Sequence, residues 1–203
     1  MIGFYDYTVI ATYLGLASAL LGIAQAISGN WLYALLCAGG ALLCDTVDGR
    51  IARAKKNRTR QEVLFGIQID SLCDLVSFGV LPAVICYTVG LQTALDLVLM
   101  AAYCLCCVIR LGYFNVLEID RKEDQKPGYR GLPVVCFALI MPAVFLFRLW
   151  VPADAFLWIL RAAMAVMGLL YVLNFRINKP KLWVILLLIP VFVAPYVVLF
   201  LNR

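Results

Sequence analysis

The 203-residue chain contains no histidine. That absence excludes Ser-His-Asp and Cys-His catalysis, and with them zinc sites built on imidazole. Charge is scarce as well, at 14% of residues, where a soluble domain carries roughly a quarter. Long polar stretches are missing, so no separate soluble domain is expected and residues 1–203 read as one membrane-embedded unit. What fills the chain is apolar: 65% of residues are hydrophobic, more than the interior of a soluble fold of this length can hide. Lipid is the expected solvent.

Cysteine is not scarce, but its eight residues all lie within apolar segments. The single CxxC spacing, Cys104 to Cys107, has no partner pair elsewhere. Buried cysteine behaves as a small hydrophobe, and these are read that way rather than as metal ligands or disulfides.

Seven stretches are each long enough to cross a hydrocarbon core of ~30 Å, for which ~20 residues are needed. They run approximately over 7–28, 31–51, 64–90, 92–117, 132–150, 154–175 and 181–201. The first lacks a basic leader and is read as a retained span, not a signal peptide. The expectation is an all-α, polytopic membrane protein.

Basic residues orient it. Arg50, Arg53, Lys55, Lys56, Arg58 and Arg60 lie between the second and third spans, and Arg110, Arg121, Lys122, Lys126 and Arg130 lie at or after the end of the fourth. Arg176, Lys179 and Lys181 lie between the sixth and seventh, so fourteen of the seventeen basic residues share one side of a seven-span chain. The positive-inside rule places that side, and the N-terminus, in the cytoplasm of a cell (plasma) membrane protein. Most of the lysines read as topology signal and attraction to membrane lipids, and no nucleic-acid partner is expected. Trp150 and Trp158 read as interface anchors, and Arg161, inside span six, needs a polar neighbour or a lipid phosphate.

Four carboxylates lie where lipid disfavours them. Asp45 and Asp48 stand at the cytoplasmic end of span two, and Asp70 and Asp74 inside the start of span three. A charged group at membrane depth costs several kcal/mol unless paired, which makes each a functional candidate. Asp45, Asp48, Gly49 and Ala52 form one helical stripe, and Gly66, Asp70, Asp74 and Ser77 another. The small residues in each stripe allow close approach of a helix or a ligand. The loop between the spans brings both stripes to one membrane level. Two such charges ~6 Å apart at an effective dielectric of ~20 repel by roughly 3 kcal/mol, so protonation or bound cations must compensate. Oxygen ligands without histidine or thiolate favour Mg²⁺, Mn²⁺ or Ca²⁺, and four acids suit a two-metal phosphoryl-transfer site. Helix packing by protonated acids and a cation-translocating pathway are the other readings open at this point.

The pattern Asp45-x-x-Asp48-Gly49-x-x-Ala52-Arg53, followed by Gly66-x-x-x-Asp70-x-x-x-Asp74, resembles the signature of the CDP-alcohol phosphatidyltransferases. The spacer of twelve residues between Arg53 and Gly66 is longer than is common in that family. Further on, Asp70-Ser71-Leu72, Ser77-Phe78-Gly79-Val80, Pro82, Arg110-Leu111, Phe114-Asn115 and Gly131-Leu132-Pro133 resemble its membrane-integral phosphatidylserine synthase branch. The likeness runs over roughly residues 8 to 180. Two departures are Tyr113, where the branch often carries a second arginine, and the lack of an evident asparagine in the first helix.

The resemblance implies a six-helix core, here with one helix more, and a homodimer. It implies transfer of a phosphatidyl group from CDP-diacylglycerol to the hydroxyl of L-serine, with release of CMP. It assigns two ions, Mg²⁺ or Mn²⁺, to Asp45, Asp48, Asp70 and Asp74, with Asp74 also the general base. Asp48, Gly49, Ala52, Arg53 and Gly66 would contact the CDP-lipid; Arg110, Asn115, Tyr129 and Arg130 are candidates for the acceptor pocket. Chemistry agrees: a serine hydroxyl needs a carboxylate to take its proton, and a guanidinium can grip a carboxylate or merely snorkel to the interface. A sister transferase using glycerol phosphate or inositol phosphate stays open, as does a cation transporter.

Overall fold

The computed structural model describes residues 3–4, 7–55, 59–119, 131–175 and 193–202, and of Ala52 and Arg53 the backbone alone. Among them there is no strand. Helix α1 is Ile10–Ile27, preceded by a 3-10 turn at Tyr7–Val9, and α2 is Trp31–Ala54. Helix α3, Arg60–Asp74, passes through a π-helical stretch, Leu75–Val80, into α4, Leu81–Val89. Then come α5, Ala94–Ile119, α6, Cys136–Leu146, and α7, Ala153–Val172; a last helix, α8, occupies 193–201. The protein is all-α and polytopic: among the described residues five helical segments, Tyr7–Ile27, Trp31–Ile51, Arg60–Val89, Ala94–Ile119 and Ala153–Val172, are long and apolar enough to span a membrane. Large side chains such as Leu14, Leu21, Leu43, Val98 and Leu105 stand exposed on the outer helix faces, as lipid contact requires.

Helices α1 and α2 form the tightest pair, and small residues make it so. Ala19, Ala26, Ala34, Ala38 and Ala41 are buried between or beside them. A Cβ on Gly15 would stand 3.2 Å from the Cys44 Cβ, and one on Gly22 2.9 Å from the Cys37 Cβ. In lipid the hydrophobic effect does not drive helices together, so close van der Waals approach of this kind carries the association. The pair is joined by Gly29, whose φ of 81° suits the left-handed end of α1.

Two places depart from a plain hydropathy reading. The third span is interrupted by the π turn, where Leu81 N–H donates to the Val76 carbonyl, five residues back. Pro82 supplies the reason: its ring crowds the carbonyl four residues earlier and it has no N–H to offer, so the helix widens. That carbonyl, of Phe78, accepts the Tyr103 hydroxyl of α5 at 2.6 Å instead. The fifth span, expected over 132–150, is helical only over Cys136–Leu149, counting a 3-10 turn at Phe147–Leu149. Gly131, at φ 72°, and Pro133 keep its beginning out of helix. Its carbonyls are met from elsewhere: Arg110 Nε donates to Leu132 O at 3.0 Å and Tyr171 Oη to Val134 O at 2.8 Å. The seventh span is described only over its helical second half; 181–192 lies outside the described residues.

Arg161 finds its partner on another helix. Its Nε and Nη2 donate to Asp96 Oδ1 and Oδ2 at 2.6 and 3.1 Å, a bidentate pair joining α7 to α5. Asp96 also closes a capping box, accepting the Thr93 backbone N–H at 3.0 Å while Thr93 Oγ1 accepts the N–H of Asp96 at 3.2 Å.

Candidate active site

The acidic stripes converge. Asp45 comes from the C-terminal half of α2, and Asp70 and Asp74 from the C-terminal half of α3. One carboxylate oxygen from each of these three lies within 4.8 Å of the others. All three are half-buried. The start of helix α3 is fixed by a capping box: Thr59 Oγ1 accepts the Glu62 N–H, and the Glu62 carboxylate accepts the Thr59 N–H at 2.7 Å. The 3.6-residue period then carries Asp70 and Asp74 onto the face turned to α2.

The fourth acid behaves differently. Asp48 is buried, and its Oδ2 accepts the hydroxyl of Thr12 on α1 at 2.7 Å. Gly49 follows it on α2, and Gly66 precedes Asp70 by one turn on α3. Ala52 continues the α2 stripe and Arg53 follows it, but their side chains lie outside the described residues, as do Tyr129 and Arg130 altogether.

Two of the expected acceptor residues sit on α5, and one of them, Asn115, lies beside this cluster. Asn115 accepts the hydroxyl of Ser71 at 2.7 Å, which ties α5 to α3 next to Asp70. Arg110 is buried, so it does not snorkel. Its guanidinium lies 5.7 Å from the Phe114 ring centroid, its Nε holds Leu132 O, and its buried Nη1 has no hydrogen-bond partner among the described residues. A buried donor left unmatched costs about 1–3 kcal/mol, or more when charged.

Hard oxygen donors at this spacing, with neither imidazole nor thiolate among them, fit a divalent cation of the Mg²⁺ or Mn²⁺ kind. They also set two carboxylates one turn apart on α3, close enough to a common point for one of them to take a proton from a bound hydroxyl. Sequence reasoning missed Thr12, and it named Ser71 only within the branch resemblance, without a role. Neither carries a signal of its own, since a hydroxyl in an apolar helix ordinarily satisfies itself on its own backbone.

Comparison with known proteins is decisive at the level of family. The family model for CDP-alcohol phosphatidyltransferase matches residues 8–191. The chain belongs to that family. It is 38% identical over 109 residues to a CDP-diacylglycerol–serine O-phosphatidyltransferase of Saccharomyces cerevisiae, covering 51% of this chain and 38% of the relative. It is 35% identical over 101 residues to the protein of the same description in Methanocaldococcus jannaschii, covering 50% and 44%. An archaetidylserine synthase of Methanothermobacter thermautotrophicus is 32% identical over 134 residues, covering 66% of this chain and 54% of the relative. The matched stretch thus spans less than half of the first two relatives. The three converging carboxylates on α2 and α3 lie within the stretch that the family model matches.

Proposed function

We propose that this protein transfers the phosphatidyl group of CDP-diacylglycerol to the hydroxyl of L-serine, giving phosphatidylserine and CMP. The observation that carries the reading is the convergence of Asp45, Asp70 and Asp74 within 4.8 Å on the signature of this family. Serine is favoured as acceptor because relatives that differ in lipid, phosphatidyl in one case and archaetidyl in another, share serine in their names.

Asp45, Asp48, Asp70 and Asp74 would hold two ions, Mg²⁺ or Mn²⁺. When bound, such ions neutralise the pyrophosphate and the departing CMP oxygen. The rest falls to the chain. Gly49 and Gly66 leave the backbone of α2 and α3 open to the nucleotide and its phosphates, with Ala52 small beside them and Arg53 a candidate phosphate contact. Asp74 takes the serine hydroxyl proton as the oxygen bonds to the β-phosphorus. The bond from that phosphorus to the CMP oxygen breaks, and CMP leaves with the electron pair. Arg110 is the proposed partner of the serine carboxylate, through the N–H that finds no partner among the described residues, and Asn115 is braced by Ser71. Tyr129 and Arg130 complete the acceptor pocket in this reading.

We place the site near the cytoplasmic face of the cell membrane, because the acids adjoin the basic connection that follows α2. Assembly as a homodimer follows the family resemblance. A cation pathway would distribute its acids through the membrane depth, and the gathering of three within 4.8 Å argues against it.

The test is to incubate purified protein with CDP-diacylglycerol, labelled in the lipid, and separately with L-serine, glycerol phosphate, inositol phosphate and inositol. Labelled phosphatidylserine is the expected product. A labelled lipid formed only with another alcohol would reassign the acceptor, and none with any alcohol would overturn the transferase reading.

A further inference from the structure

We propose that Thr12 is a positioning residue of the acidic site, holding the Asp48 carboxylate through the hydrogen bond from its hydroxyl. It rests on the reading of the acidic site given above.

The bond is 2.7 Å long, joins residues on different helices, and both side chains are more than nine-tenths buried, at 7% and 5% exposure. That length is ordinary for a hydroxyl donating to a carboxylate oxygen. A threonine inside a helix has an easier course, which is to donate to the carbonyl four residues back. Here the donor is committed instead to an acid 36 positions away. The approach that permits it is built into the helix pair: one turn on, Gly15 lets α1 close on Cys44, where a Cβ would already stand 3.2 Å from that residue's own. Thr12 brings one neutral proton and no charge. It can therefore orient the carboxylate without competing with a cation for it. Helix α1 thus contributes to a site whose acids come from α2 and α3 alone.

Mn²⁺ binding to the detergent-purified full chain tests this directly, read by electron paramagnetic resonance of the free ion. Removing an outer partner of a metal-binding group typically weakens binding 10–100-fold, and that is the loss expected for Thr12→Val. Thr12→Ser, which keeps the hydroxyl, is expected to stay within about threefold of the wild type. Ser18→Ala is the comparison: Ser18 Oγ donates to the Cys37 carbonyl, another α1–α2 bond, away from the acids. It is expected to lower thermal stability and leave Mn²⁺ affinity unchanged. If Thr12→Val does not yield folded protein, Thr12→Ala removes the same hydroxyl and is read in the same way. Wild-type affinity in the hydroxyl-free variant would overturn the proposal. So would equal weakening by Ser18→Ala, or failure of serine to rescue. A wild-type protein that binds no Mn²⁺ would instead sink the metal reading of the site, and the role of Thr12 with it.

Discussion

Arg110 and Arg161 both sit inside apolar helices, and their surroundings give them opposite work. Arg161 is matched atom for atom by Asp96, which is fully buried. A pair of that kind costs desolvation and gains specificity, and it fixes how α7 lies on α5. Arg110 is matched only in part, since its Nε serves Leu132 O and its Nη1 finds nothing among the described residues. If the spare N–H receives the acceptor's carboxylate, Arg110→Lys loses one charge-assisted bond, a matter of ~1.5–3 kcal/mol. The expected result is a rise of about 10–100-fold in KM for L-serine with a much smaller change in kcat. An unchanged KM together with lower thermal stability would make Arg110 a brace for the 131–135 segment and nothing more.

At the scale of elements, the weight falls on close approach and on carbonyls rescued by neighbouring helices. Gly22 stands where an added Cβ would lie 2.9 Å from the Cys37 Cβ and 3.1 Å from Leu81. Gly22→Ala is therefore expected to destabilise the protein by about 1–3 kcal/mol, as overpacking does. Gly112, with open space around it, is the contrast: Gly112→Ala should be neutral or gain up to about 1 kcal/mol in helix propensity. Thermal unfolding in detergent, followed by helical circular dichroism, distinguishes the two, and equal midpoints would contradict the packing argument. The long helices were legible in the sequence because some twenty apolar residues admit few other fates in lipid. Asp45, Asp70 and Asp74 were legible because carboxylates at membrane depth need a reason. The π turn was not, since Pro82 states the problem but Tyr103, on another helix, supplies the solution. The short α6 was not either, because the donors that allow 131–135 to stay non-helical are Arg110 and Tyr171, distant in sequence. The bond between Thr12 and Asp48 escaped for the same reason: hydrogen bonds between helices leave no periodic trace.

Over the whole molecule, function and fold separate by position. Small residues join α1 to α2, aromatic contacts such as Trp31–Phe145 and Phe145–Phe156 at 5.4 Å join α2, α6 and α7, and the outer faces meet lipid. Carboxylates from α2 and α3 gather at one point. Every part of the functional account depends on those acids holding divalent cations rather than sharing protons. The most direct measurement is CMP release by the purified protein from CDP-diacylglycerol and L-serine, with Mg²⁺ or Mn²⁺ supplied and then with excess EDTA. The account predicts release that is lost with the chelator and restored when the cation is returned in excess. Release at the same rate in EDTA would contradict it.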